Sequence, residues 1–203
     1  MENRSQNIQL ETYEWDNTWI EQAKIKDATR ALYIGDSISC PVRSLATAAS
    51  ENTVFFDGVA TSKAVDNPYL LDTVRLFAEQ QGTRAVILLN NGLHGPHLED
   101  ETEYKNHYGK VIEFLRNHFG NTPLILILST PQAKPERDER VVKRNGAVIS
   151  LAEKYSLPVI DFYSLIKPHP ELISSDGVHL THDGYVLLAN ELAKEVMSFL
   201  NRS

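Results

Sequence analysis

Cysteine occurs once in the 203 residues, at position 40. An intrachain disulfide is therefore impossible and a cysteine-rich zinc site is excluded. Neither is needed, because a chain of this length buries enough core to be stable unaided. Basic charge is also short: 20 Lys and Arg stand against 27 Asp and Glu, a net charge of -7, with no run of one sign. That balance argues against nucleic acid as a partner, since a phosphate backbone requires a basic face. No apolar run approaches the ~20 residues that cross a bilayer. The opening stretch "MENRSQNIQLETYEWD" lacks the basic start, apolar segment and cleavage site of a secretory signal. The expectation is a soluble, cytoplasmic protein with no membrane partner. Repeats, linkers and low-complexity segments are missing too. The chain thus reads as one domain over residues 30–203, preceded by an arm over residues 1–29 that packs on it. Within the arm, Trp15 and Trp19 suit a dimer contact or a pocket lid equally, and the oligomeric state stays open.

What is present is an alternation. Five apolar runs, "ALYIG" at 31–35, "TVFFD" at 53–57, "AVILLN" at 85–90, "PLILILS" at 123–129 and "LPVIDF" at 157–162, are continuous, as parallel strands covered on both faces must be. Helical patterns separate them. Tyr104, Tyr108, Val111, Ile112, Leu115 and Phe119 fall on one stripe, with Gly120 placed to end that helix. Asn67-Pro68 opens another through about residue 81, and Tyr185, Leu188, Leu192, Val196 and Leu200 form a last apolar face. Right-handed crossovers place such helices on both sides of the sheet, so the fold class is α/β, a three-layer α/β/α sandwich on a parallel five-stranded sheet.

Ligands in such sheets bind outside the carboxyl ends of the strands. On that rim stand Gly35-Asp36-Ser37 after the first run, Asp57-Gly58-Val59 after the second, Asn90-Asn91-Gly92-Leu93-His94 after the third, and "SSDGVHLTHDGY" after the fifth. A serine, a glycine turn, an amide pair and an Asp/His pair on one rim are the set that acyl transfer needs. Ser37 is the candidate nucleophile, and His179 the base that takes its proton and returns it to the leaving alcohol. Asp176, three residues before His179, can reach the far ring nitrogen and fix the tautomer. Backbone N–H groups of Ser37 and Gly58, with a side-chain amide from the Asn90/Asn91 turn, would serve the oxyanion. Asp36 suits the support of the turn that presents Ser37. His182 and Asp183 read as the start of the last helix, capped near Thr181. Gly95 and Pro96 separate His94 from His97, so no helical face joins them and no metal or cofactor is expected. His94 instead borders the substrate pocket. The Gly-x-Ser-x-Gly elbow of α/β-hydrolases and a phosphate-cradling loop are both missing around Ser37.

These residues resemble the SGNH, or GDSL, hydrolases. "GDSIS" is similar to that family's first block, "DGVATS" to its second, and "DGVHLTHDGY" to its last. The third block, usually Gly-x-Asn-Asp, is replaced here by "NNGLHG". The resemblance spans residues 31–200. It implies a flavodoxin-like sheet in the order 2-1-3-4-5 and metal-free ester hydrolysis by Ser37, His179 and Asp176, with Gly58 and Asn91, or as second choice Asn90, at the oxyanion. Arg43, Lys63, His94 and His97 make the rim polar. The expected substrate is therefore a short acyl ester, such as acetyl, on a polar or carbohydrate alcohol. Two alternatives stand beside it. One is a weak or inactive binding domain on the same fold, motivated by the altered third block; the other is a lipid acylhydrolase or lysophospholipase.

Overall fold

Residues 8–202 are described by the computed structural model. A short strand, β1 (Asp16–Trp19), precedes β2 (Arg30–Gly35), β3 (Phe55–Thr61), β4 (Val86–Leu89), β5 (Leu124–Leu128) and β6 (Val159–Asp161). Between them run α1 (Ser39–Ala49), α2 (Leu70–Gln81), α3 (Glu101–Phe119) and α4 (Pro135–Tyr155), with α5 (Phe162–Ile166) and α6 (His182–Leu200) closing the chain. The sheet order is β1-β3-β2-β4-β5-β6. Its five parallel strands follow the order 2-1-3-4-5, but the sheet has six strands, not the expected five. The extra one is β1, antiparallel to β3 at the edge, with Asp16 opposite Thr61 and Trp19 opposite Gly58. All four of its residues are exposed, so it carries no apolar signature.

Successive strand residues face opposite sides of a sheet. On one side Leu32, Ile34, Ile87, Leu89, Leu124 and Leu126 join the buried faces of α2, α3 and α4. On the other, Ala31, Tyr33, Val86, Leu88, Ile125 and Ile127 join α1, α5 and α6. Both sides are thus covered, which is why the runs are apolar throughout. Tyr104, Tyr108, Val111, Ile112 and Leu115 of α3 are buried, and Gly120 ends that helix with φ +58. The second helix starts later than Asn67-Pro68 suggests. Asn67 Oδ1 accepts from Tyr69 N–H (3.0 Å) in the preceding turn, and α2 begins at Leu70. No helix among the described residues is long and apolar enough to cross a membrane.

β3, the second apolar run, extends four residues beyond Asp57, because the charge at Asp57 is buried rather than solvated. Its carboxylate, fully buried, accepts from Arg30 Nη1 (3.0 Å to each oxygen), from Glu21 N–H (2.8 Å) and from Gln81 Nε2 (2.9 Å). Arg30 in turn donates to the carbonyls of Glu21, Gln22 and Ile25. One buried ion pair so fastens the segment that follows β1 to the sheet.

Candidate active site

The rim of the parallel sheet is where β2 delivers Gly35-Asp36-Ser37. Asp36 shapes this turn: its Oδ1 accepts from Ile38 N–H (2.9 Å) and its carbonyl from Ser39 N–H (3.0 Å) and Ser39 Oγ (2.7 Å). α1 takes no side-chain cap, so the Ser37 hydroxyl is spent elsewhere. It lies 2.8 Å from His179 Nε2. On the far side of the ring, His179 Nδ1 stands 2.6 Å from Asp176 Oδ2. A carboxylate can only accept, so Nδ1 carries the proton and Nε2 is left to accept from the serine O–H.

The loop that holds this pair is a tight turn. Ser174 N–H donates to His179 O (2.8 Å), Gly177 N–H to Ser174 O (2.9 Å), and Gly177 has φ +76, a conformation that glycine adopts without strain. Asp176 Oδ1 accepts from the N–H groups of Val178 (2.8 Å) and His179 (2.9 Å) and from Ser174 Oγ (2.9 Å). Those donors, Val178 N–H foremost and then the imidazole of His179, hold the Asp176 carboxyl well below the usual carboxylate range. α6 follows directly, capped by Thr181, whose Oγ1 accepts from Gly184 N–H (3.3 Å).

Asn90 and Asn91 point apart. Asn90 Nδ2 donates to Ile127 O of β5 (2.9 Å) and to Ser129 Oγ just beyond it (3.0 Å). Asn91 Nδ2 donates to Lys63 O (2.8 Å) in the loop after β3, and its Oδ1 is buried without a partner among the described residues. Gly58 does not reach the rim. It lies inside β3, paired with Tyr33 on β2 and Trp19 on β1, two ladder positions or roughly 7 Å short of the β2 end at Gly35. Its lack of a Cβ has a packing cause: that atom would fall 2.5 Å from Arg43 Cδ and 2.5 Å from Tyr33 O. Arg43 crosses there, buried, to reach Asn17 Oδ1 on β1 (2.7 Å), and so leaves the rim as well. At the true end of β3 the N–H groups of Ser62 and Lys63 are taken by Trp15 O (3.1 Å) and Thr61 Oγ1 (3.0 Å).

A cleft of ≈ 500 Å³ opens over Ser37 and His179. His94 lines it, as do Glu11 and Trp15 from the arm, Gln132 from the turn before α4, and Arg137 and Arg140 from the start of α4. Glu11 Oε1 accepts from Gly95 N–H (2.9 Å) and meets His94 Nδ1 at 3.0 Å, and Trp15 stacks edge-on against the His94 ring at 6.0 Å. His97 turns away to Asp66 (2.8 Å). Trp19 stays outside the cleft, 52% exposed. Trp15 was one of two tryptophans suited to a pocket lid or a dimer contact, but Glu11 and the α4 contributions escaped sequence reading. The only signal for the latter was the spacing of Arg137 and Arg140 by three, which puts both on one helical face.

Asp36 also yields a stability prediction. Its carboxyl is buried, with Oδ2 unpartnered among the described residues. Burial raises its pKa from the ordinary 3.8, against the pull of His94, Ile38 N–H and His179. A raised carboxyl favours the protonated folded state. The associated stability is full below 3.8 and is lost as pH climbs through the folded-state value. Asp36→Asn removes that loss. Thermal melts of the two proteins should coincide near the ordinary carboxyl value, with the variant gaining as pH rises from there to the folded-state value and the gap constant beyond it. A gap that narrows with rising pH would show a carboxylate stabilised in place.

A family model described as GDSL-like lipase/acylhydrolase matches residues 34–187. Among solved structures, a lipolytic G-D-S-L family member from Veillonella parvula DSM 2008 superposes with a TM-score of 0.68 at 21% identity, covering 84% of this chain and 99% of its own. The lipase/acylhydrolase from Enterococcus faecalis gives 0.69 at 17%, with 84% and 96% covered. An acetyl xylan esterase, AlAXEase, gives 0.64 at 20%, with 82% and 99% covered. At such identities these likenesses establish the fold. No curated protein sequence matches the chain.

Proposed function

Because the chain belongs to the GDSL-like lipase/acylhydrolase family, we propose that it is a serine esterase in which Ser37 attacks the ester carbonyl, His179 carries the proton and Asp176 orients His179. The hydrogen-bonded file Asp176, His179, Ser37 at 2.6 and 2.8 Å is the observation that carries this reading. As Ser37 Oγ bonds to the carbonyl carbon, its proton passes to His179 Nε2 and the carbonyl oxygen becomes an oxyanion. Asp176, ionised and braced by two backbone N–H groups, stabilises the imidazolium that results. Collapse expels the alcohol, which takes the proton from Nε2. Water, deprotonated by the same nitrogen, then attacks the acyl-enzyme and releases the acid.

Donors for the oxyanion come from Ser37 N–H and from Asn91. The Asn91 amide has two hydrogens and gives one to Lys63 O, so the second is available. Asn90, with its amide directed at Ile127 and Ser129, fits the role less well, and Gly58 does not take part.

The acyl group is short, acetyl by preference, and the alcohol polar or a carbohydrate. In support, charged and polar side chains, Glu11, His94, Gln132, Arg137 and Arg140, line the cleft, where a long acyl chain would bury them against methylenes at a cost. The acetyl xylan esterase among the structural neighbours fits the same reading. Hydrolysis of p-nitrophenyl acetate against the palmitate tests it. We expect kcat/KM to favour the acetate by at least ~10-fold, a 1.4 kcal/mol difference. Faster palmitate turnover would transfer the protein to the lipid acylhydrolases.

A further inference from the structure

One wall of the cleft consists of cationic groups that nothing else in the described protein uses. Beyond β5 the chain turns through residues 129–134 into α4, and Ala133 N–H donates to Gly177 O (2.9 Å). That bond ties the turn to the loop carrying Asp176 and His179. His179 Nε2 hands a proton to the departing alcohol, so the alcohol lies on this side of Ser37. Here stand Arg140, half-buried, and Arg137, exposed one helical turn before it. Neither guanidinium makes a side-chain hydrogen bond or ion pair with another described residue. Beside them Gln132 is only 7% exposed, and its Nε2 has no acceptor.

The nearby acids do not supply the missing partner. Glu11, the acid among the cleft's described lining residues, is held by Gly95 N–H and His94. Asp138 is occupied by Lys167 Nζ (2.5 Å), Tyr163 O–H (2.9 Å) and Gln132 N–H (3.0 Å). Glu139 pairs with Lys143 at 2.8 Å and, with Glu99, Glu101 and Glu136, lines the adjoining hollow, which Arg140 also borders without an ion pair to any of them. Buried polar groups are normally hydrogen-bonded. Of the three groups at this wall only the Gln132 amide is buried and lacks the partner such a group normally has; with two unpaired guanidinium groups beside it, one half-buried and one exposed, the wall offers donors to acceptor oxygens.

We infer that Arg137 and Arg140, with Gln132 beside them, form an anion subsite that takes a carboxylate or phosphate carried on the alcohol part of the ester. Guanidinium groups match both anions through paired N–H donors. The assignment to the alcohol part rests on the esterase reading; the subsite itself does not.

Matched substrates test it: the acetate esters of 4-hydroxyphenylacetate, of its amide, and of 4-hydroxybenzylphosphonate, in which a methylene insulates the leaving phenol from the charge. Wild type should prefer at least one anionic ester over the amide by about tenfold or more in kcat/KM, expressed in KM, as charge-assisted hydrogen bonds allow. The preference should fall to near unity in Arg137→Gln/Arg140→Gln. The preferred anion identifies the source as carboxylate or phosphate. No preference for either anion, or one that survives the double substitution, overturns the subsite.

A binding measurement separates this from the fate of the esterase reading. Calorimetry on Ser37→Ala, with and without the two arginine substitutions, compares 4-hydroxyphenylacetate and 4-hydroxybenzylphosphonate with the amide. Arginine-dependent preference for an anion sustains the subsite even if no ester is hydrolysed. Equal binding of all three rejects it even if esters are.

Discussion

Ser37→Ala is expected to lower kcat/KM for p-nitrophenyl acetate by ~10⁴-fold or more, on the scale at which removal of a serine nucleophile leaves only binding and oxyanion stabilisation behind. The variant deletes one oxygen whose structural bond is to His179 Nε2, and Ser37 makes no cap to α1. Stability should therefore move by no more than ~0.5 kcal/mol, as for substitutions away from core and caps. Thermal melting and near-ultraviolet dichroism check that the fold is retained. An organophosphonate should add to Ser37 of the wild type and to nothing in the variant, by peptide mass. These readouts separate the nucleophile from a bystander hydroxyl. Residual hydrolysis within tenfold of wild type, or an adduct on another residue, would mean that the 2.8 Å contact is not the reacting one. A protein without adduct or turnover would be the binding domain that the altered third block allows.

How far the sequence carries depends on whether a feature is set locally or by distant packing. The parallel strands were legible because both faces of the sheet are covered, leaving an apolar run that no polar interruption obscures. β1 was not, since "DNTW" is exposed along its length and joins the sheet through backbone pairing, which has no side-chain signature. The turn presenting Ser37 and the loop joining Asp176 to His179 are each local, and their residue order was enough to nominate them. Their meeting is a matter of topology, decided by where β2 and the segment before α6 end on the rim. The end of β3 was misplaced for an electrostatic reason: Asp57 looks like the first solvated residue after an apolar run, yet Arg30 neutralises it inside the sheet. Gly58 went with it, a glycine that makes room for Arg43 instead of turning the chain. The asymmetry between Asn90 and Asn91 depends on side-chain direction alone. Glu11 comes to the cleft from an element far in sequence from Gln132, Arg137 and Arg140, so no spacing rule could join the arm to α4; the spacing of the two arginines was the one local signal.

The Arg30–Asp57 pair that hid the strand end also supports the second large expectation, a loss of ~3–5 kcal/mol in unfolding free energy for Asp57→Ala. The alanine leaves the Arg30 guanidinium, in a residue 5% exposed, without its counter-ion. It also strips acceptors from Glu21 N–H and Gln81 Nε2. An uncompensated buried charge costs more than the original pair contributes, because the three carbonyls that Arg30 also meets carry no charge to offset its desolvation. The asymmetry provides the control: Arg30→Met/Asp57→Leu removes both charges and fills the space, and should recover the part of the loss due to the unpaired charge, though not the part due to the hydrogen bonds of Glu21 and Gln81. Urea unfolding gives the free energies. Hydrogen exchange locates the damage, which should fall first on the β1 amides and on residues 20–25, since Arg30 holds the carbonyls of Glu21, Gln22 and Ile25. Because Trp15 and Glu11 line the cleft just ahead of β1, loosening that anchor should also raise KM while Ser37, His179 and Asp176 stay in register. A loss below ~1 kcal/mol, or exchange confined to the far edge at β6, would show that the sheet holds the arm without the buried pair.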